Sequence, residues 1–219
     1  MNLQKIRPDL PPVHRLPALN ARRTGTDLSA FDRSGYREGP AWKQALWLLA
    51  SHLFFYTACP WPSALKVRIL RLFGGRVGTG VVIKHHVRIK NAWRLEIGDH
   101  SWLGEGTWIE NLEDVIIGKN VCISQEAMIL TGNHDYSRPD FRFRLGKIRL
   151  EDGTWIGARS VVCPGITCGS HSVLTVNSVA TRDLEAWHVH SGNPSRPIRA
   201  RKMRNDQETS KTYHHEYEQ

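Results

Sequence analysis

A chain of 219 residues with 40% hydrophobic content is long enough for one substantial core and is most simply one domain with flanking pieces. Its formal net charge of +9 suits a phosphorylated cofactor, a polyanionic glycan or an anionic membrane leaflet, and the lack of any nucleic-acid-binding motif sets nucleic acid aside as a partner. The four cysteines, Cys59, Cys122, Cys163 and Cys168, lack the paired spacing of a metal site and fit a reduced, cytoplasmic protein.

Residues 1–40 carry seven Lys or Arg against four Asp or Glu, several prolines and no apolar signal core, which predicts a flexible basic leader. Residues 41–75 predict a helical segment. Trp42, Ala45, Leu46, Leu49 and Leu53 follow helical spacing, Pro60 and Pro62 interrupt, and a second helix runs through Leu65, Ile69, Leu70 and Phe73. The most apolar run, Ala45 to Cys59, is 15 residues long and contains Ser51 and His52. It falls short of the roughly 20 residues that span a bilayer. The segment is expected either to cap the element that follows or to make peripheral membrane contact through Trp42, Trp47, Phe54, Phe55, Tyr56 and Trp61.

From Val77 to about Ala180 the chain repeats a six-residue unit: an aliphatic residue, then Gly or a small polar residue, then a small or branched residue four positions after the first. Clear copies are Ile97-Gly98-Asp99-His100-Ser101-Trp102, Ile117-Gly118-Lys119-Asn120-Val121-Cys122 and Ile156-Gly157-Ala158-Arg159-Ser160-Val161. Six residues make one short strand and a corner, so three units close one coil of a triangular prism whose coils stack about 4.8 Å apart. The aliphatic residue points inward, as does the residue four later (Ser101, Thr107, Ser160, Ser172, Ser178), and Gly at the second position relieves a tight corner. The spacing Val77, Ile97, Ile117 exceeds a plain coil by two residues, which predicts outward bulges near Leu95-Glu96 and Val115-Ile116. Register is lost after Asn133 and returns at Leu150, continuing through Ile156, Val162, Cys168, Leu174 and Ala180, so residues 134–149 form a projecting loop. The fold class is an all-β solenoid, a parallel β-helix over residues 76–186 with an N-terminal helical segment. A C-terminal arm, helical or extended, covers 187–204, and a polar tail covers 205–219.

His134, in Thr131-Gly132-Asn133-His134-Asp135-Tyr136, stands where the repeat breaks and the loop departs. A neutral imidazole there can take a proton from a hydroxyl and return it to a leaving group, or it can simply close a turn with Asp135. The segments from Ile117 to His134, Gly153-Thr154-Trp155-Ile156-Gly157-Ala158, Val162-Cys163-Pro164-Gly165-Ile166-Thr167 and Gly192-Asn193-Pro194-Ser195-Arg196 resemble the hexapeptide-repeat O-acetyltransferases. Within them Leu72-Phe73-Gly74-Gly75-Arg76-Val77-Gly78, Ala92 to Asp99 and Gly132-Asn133-His134-Asp135 are most similar to the colanic acid biosynthesis branch.

That resemblance implies a left-handed β-helix, a homotrimer with sites between neighbouring prisms, acetyl-CoA as co-substrate and no metal. It implies His134 as general base, with Asp135 as the residue that orients it although adjacent strand residues point opposite ways. Cofactor contacts fall by position on Trp155, Ala158, Val176, Thr181, Arg182, Arg196 and Arg199. Ala158 and Val176 contribute backbone only, and the arginines suit phosphate. Asn111 and Asp114 are the acceptor-binding candidates, each equally a solvated corner. The basic loop Tyr136 to Lys147 either covers a neighbour's site or is merely soluble. The implied reaction is transfer of acetyl to a sugar hydroxyl of an exopolysaccharide or its lipid-linked precursor, in the cytoplasm or at the inner face of its membrane. The alternatives are a small acceptor such as an antibiotic or serine, and a scaffold without turnover. A zinc enzyme on the same prism needs three converging histidines. His85, His86, His100 and His171 fall instead at repeat corners, as surface residues.

Overall fold

The computed structural model describes residues 25–32, 36 and 39–203. Among these, three sheets wind around one core, and each column of inward side chains follows the aliphatic position of the repeat. On the first face Val77, Ile97, Ile117, Leu150 and Cys168 stand in parallel register. On the second face the column is Ile83, Leu103, Ile123, Ile156, Leu174 and His190. The third stacks Ile89, Ile109, Ile129, Val162 and Ala180. The aliphatic members are at most 8% exposed, and Ser101, Thr107, Ser160, Ser172 and Ser178 are buried between the columns as the repeat predicts.

At the corners the glycines act as the sequence predicts, while the two-residue extensions fall elsewhere. Gly at the second position is there for close approach: a Cβ on Gly98 would lie 2.6 Å from the carbonyl carbon of Gly118 in the next coil. The left-handed backbone falls two residues later, at Gly80, His86, His100, Gly106, Asn120, Glu126, Gly153, Arg159, Gly165, His171, Asn177 and Trp187, three positions after the inward residues of the first and second faces and after Val162. The two-residue extensions do not bulge at Leu95-Glu96 and Val115-Ile116. Leu95 and Val115 are buried and paired within the first face, so the extra length is taken up just before them, by the 3-10 turn Ala92–Arg94 in one coil and by residues 111–114 in the next.

The helical segment closes the open end of the solenoid. Helix α1 (Ala41–Phe54) and helix α2 (Ser63–Leu72) supply hydrogen-bonding groups to the unpaired edge of all three faces. Arg71 donates to the Val77 carbonyl at 2.9 Å on the first face. On the second, Lys66 Nζ donates to the carbonyls of Ile83 (3.2 Å) and Lys84 (2.8 Å), while the Ile83 N–H donates to Ser63 Oγ (3.0 Å). On the third, the Trp47 indole donates to the Ile89 carbonyl at 3.0 Å. Burial lowers the Lys66 pKa, and carbonyl acceptors are what keep its ammonium in place. An edge left unpaired in a dry setting would cost about 1–3 kcal/mol per group, so a cap of this kind is what the fold requires.

At the other end the chain runs as a strand, His188–Gly192, parallel to Val173–Leu174, then reverses into the antiparallel strand Ser195–Ala200. The C-terminal arm is therefore extended, and the expected tail at 205–219 lies outside the described residues.

Candidate active site

The first three coils do not all use the corner between the third and first faces alike. In the first two, Asn91 and Asn111 stack. The Asn91 N–H donates to Asn111 Oδ1 (2.9 Å), Asn111 Nδ2 donates to the Asn91 carbonyl (2.6 Å), and Asn91 Nδ2 donates to the Asn111 carbonyl (2.9 Å). Thr131 takes this place in the third coil, donating to the Glu110 carbonyl (2.9 Å) and accepting from the Glu113 N–H (3.0 Å). From there the chain leaves the prism as a hairpin whose strands, Gly132–His134 and Phe143–Leu145, pair antiparallel with His134 opposite Phe143.

His134 sits half-buried in an aromatic cage. Phe141 stacks on it with centroids 4.5 Å apart and planes 9° apart, Phe143 lies at 4.9 Å and Phe31 at 5.6 Å. Its Nδ1 lies 2.7 Å from the Phe141 carbonyl oxygen. A carbonyl only accepts, so Nδ1 carries the proton and Nε2 of the neutral ring keeps its lone pair. Phe31 belongs to residues assigned to the flexible leader. It reaches the cage because the 3-10 turn Leu28–Ala30 is tied to the hairpin by the Asp27 N–H, which donates to the Pro139 carbonyl at 2.8 Å. Residues 1–24 of that leader lie outside the described residues.

Asp135 is not the orienting group in this arrangement. Its carboxylate accepts from the N–H (3.1 Å) and hydroxyl of Ser137, and these bonds hold its pKa below the ordinary carboxylate value. The alternation of side chains along the strand turns it away from His134, and the Phe141 carbonyl does the orienting. The bend that returns Phe141 to His134 was not legible in the sequence. That bend is held by Asp140, which accepts from Arg138 Nε (3.1 Å) and Arg142 Nε (2.9 Å), bringing its pKa down to about 2.

The acceptor candidates separate. Asn111 is fully buried with its amide consumed by Asn91, so it is a structural member of the corner and presents no group to a ligand. Asp114 remains on the surface beside the hairpin, paired with Lys147 (3.0 Å) and Arg94 (3.5 Å). Between α1 and the third face opens a cavity of about 570 Å³ whose lining includes Tyr36, Leu48, Arg88, Lys90, Trp108 and Glu110. Tyr36 joins this cavity to the histidine cage, its ring lying 5.9 Å from Phe143.

The cofactor candidates are spread over the prism, Thr181 and Arg182 alone sharing the His134 edge. Trp155 is exposed on the second face, its indole donating to Ser124 Oγ at 2.9 Å. Ala158 and Val176 stack at the edge between the second and third faces, where the Asn177 N–H donates to the Ala158 carbonyl (3.0 Å), and the Val176 side chain is exposed. Thr181 and Arg182 are exposed at the same edge as His134, and Arg196 and Arg199 are exposed on the last strand. Two sets of residues therefore stand on different edges of one prism. His85 and His86, expected as separate surface residues, meet Glu105 with ligand atoms within 4.8 Å of one another, away from the His134 edge.

No protein-family model matches the chain. Over 176 residues it is 33% identical to the Escherichia coli protein named as the colanic acid biosynthesis acetyltransferase WcaF, covering 80% of this chain and 97% of that one. It is 27% identical over 143 residues to the galactoside O-acetyltransferase of E. coli, covering 63% of this chain and 70% of that one. The crystal structure of a hexapeptide-repeat acetyltransferase from Vibrio cholerae superposes with a TM-score of 0.66 at 26% identity, over 75% of this chain and 96% of that one. A second structure of the Vibrio protein, complexed with acetyl coenzyme A, superposes with a TM-score of 0.61 at 25% identity, over 66% of this chain and 81% of that one. The parallel solenoid matches the left-handed β-helix of these acetyltransferases, an exception to the right-handed crossover of most parallel sheets.

Proposed function

The chain belongs to the hexapeptide-repeat acetyltransferase family and is an acetyl-CoA-dependent acyltransferase, and we propose that its acceptor is a sugar hydroxyl, on an exopolysaccharide or its lipid-linked precursor. The observation that carries the mechanism is the 2.7 Å contact of His134 Nδ1 with the Phe141 carbonyl, which leaves Nε2 as a base. Nε2 takes the acceptor hydroxyl proton as that oxygen attacks the thioester carbonyl carbon. When the tetrahedral intermediate collapses, the C–S bond breaks and the same proton goes to the leaving thiolate. Backbone N–H groups of an adjoining subunit's coil stabilise the oxyanion.

A site that needs both His134 and the Ala158–Val176 edge cannot be closed within one prism, because the two stand on different edges of it. This supports a homotrimer in which His134 of one subunit faces the cofactor edge of the next. Trp155, Val176, Thr181, Arg182, Arg196 and Arg199 are exposed, which supports such a role, and the guanidinium groups suit the phosphates of the co-substrate. The cavity beside Tyr36 supplies aromatic faces together with Lys90 and Glu110 for a sugar acceptor, and Asp114 lies beside the hairpin that carries His134. Free thiols at all four cysteines support a reducing, cytoplasmic setting.

Thiol release from acetyl-CoA, measured with a panel of sugars, nucleotide sugars, polysaccharide fragments, chloramphenicol and serine, tests the reading. Acceptor-dependent release with a carbohydrate, lost by at least about a hundredfold in His134→Ala, is the expected result. Release driven only by a small non-sugar acceptor would replace the substrate class. Equal release by both proteins would remove His134 as the base.

A further inference from the structure

Helix α1 presents an apolar stripe to the outside. Trp42, Leu46, Leu48, Leu49 and Leu53 are 51 to 66% exposed, while Trp47 is buried and Ala50 and Phe54 pack toward the core. The helical stripe read from the sequence, Trp42, Ala45, Leu46, Leu49 and Leu53, is thus the outer one. Both sides of α1 are apolar, and the bond from the Trp47 indole to the Ile89 carbonyl decides which side faces the prism. Trp61 extends the patch beyond the helix, its indole donating to the Leu53 carbonyl at 2.9 Å, so one tryptophan marks each end. An exposed apolar area of this kind needs an occupant.

Charge identifies it. Residues 39–95, which hold both helices and the first coil, contain nine Lys or Arg and no Asp or Glu. The rest of the chain is balanced at 21 of each sign, so this stretch of sequence holds the whole excess of +9, of which Arg76, Lys90 and Arg94 are paired with Glu96, Glu110 and Glu113 of the next coil and Lys66 is buried. Arg68, Arg76, Lys84 and Arg88 are exposed there. A leucine-rich helix face with tryptophan at both ends, flanked by the exposed cations Arg68, Lys84 and Arg88, matches an anionic lipid monolayer: apolar side chains enter the acyl boundary and cations meet the headgroups. A second copy of the chain would instead bring Arg68, Lys84 and Arg88 against the same cations of its partner. Among the described residues no helix is long and apolar enough to cross a membrane, so the contact lies in the interface plane.

We propose that α1 and the basic end around it dock on an anionic lipid surface. Leu48 and His52 of the same helix also wall the cavity beside the histidine cage, so docking would bring that cavity to the membrane. This deepens the proposed function, on which it rests, by favouring a lipid-linked acceptor over a free one.

The test is co-sedimentation of the full chain with vesicles of phosphatidylcholine alone or mixed with phosphatidylglycerol, comparing wild type with Leu49→Glu/Leu53→Glu. The wild type is expected to pellet with the mixed vesicles, less with phosphatidylcholine alone and less at high salt. The double variant should lose at least about tenfold in partitioning, with unchanged circular dichroism and light-scattering mass. Wild type remaining in the supernatant would overturn the proposal, and so would equal binding by the variant. A drop in the variant's oligomeric mass would overturn it by showing that a second copy covers the face. Thiol release with a soluble acceptor, measured without vesicles, reads the transferase separately and should be equal in wild type and variant.

Discussion

The corner formed by Asn91 and Asn111 and the corner opened at Thr131 occupy the same edge of the same prism, twenty residues apart at each step, and they do opposite things. In the first two coils the amides of Asn91 and Asn111 are spent on each other's backbone and on the Tyr36 hydroxyl, and neither is left for a ligand. In the third, Thr131 keeps the bonds that tie the coil down and the chain departs into a hairpin whose histidine is held by aromatic rings and one carbonyl. Equivalent position in a repeat therefore does not give equivalent role. The stack uses up its polar groups in holding register, and chemistry becomes available where the stack is interrupted.

The largest test of this contrast is His134→Gln, expected to lower kcat by at least about a hundredfold while leaving the thermal midpoint unchanged, since the ring is not part of the prism core. Asn111→Ala should do the reverse. It leaves the Asn91 N–H buried and unpaired and takes one of two donors from the Asn91 carbonyl, which keeps the Arg94 N–H (3.2 Å), costing about 1–3 kcal/mol in denaturant unfolding, while KM for the acceptor stays as in wild type. An acceptor KM raised tenfold in well-folded Asn111→Ala protein would break the comparison. Asp135→Asn is expected to change kcat less than about threefold, because the Phe141 carbonyl orients the base; a loss near that of His134→Gln would restore Asp135 to the machinery.

The smallest effect is in pH. His190 fills an inward position of the second face, and burial lowers its pKa from 6.5. A depressed histidine pKa means that the unfolded chain binds the proton first. The stability it carries is complete above 6.5 and is lost as pH falls through the lower folded value. Asp140 in the hairpin is depressed from 3.8 to about 2, so its contribution persists until pH falls below 3.8 and is lost toward 2. Acid should thus weaken the last coil before the hairpin. Thermal midpoints measured from pH 7 to 4 should slope less in His190→Leu than in wild type, and Asp140→Asn should leave that slope unaltered.

Much of the prism was legible because its rule is local. An aliphatic residue every six positions, and a small one four later, identify the inward columns through Leu150, Ile156, Val162, Cys168, Leu174 and Ala180 without reference to any distant contact. His134 was legible for the same reason, as the residue standing where that rule stops. The cage around it was not. Phe31 and Phe143 are more than a hundred residues apart, and nothing in either segment announces that their rings meet at 5.1 Å. Asn111 misled because a linear string shows an asparagine at a corner but not that its amide is already bonded to the coil beneath.

Sequence periodicity by itself determined the solenoid, its register and the place of its interruption, since side-chain direction in a strand and the need to bury an aliphatic column repeat with the chain. Tertiary structure decided which side of α1 meets the prism, which atom orients His134 and which residues stand on which edge. Each of these depends on groups far apart in sequence competing for the same hydrogen bond or the same buried space, and only the packed chain resolves that competition.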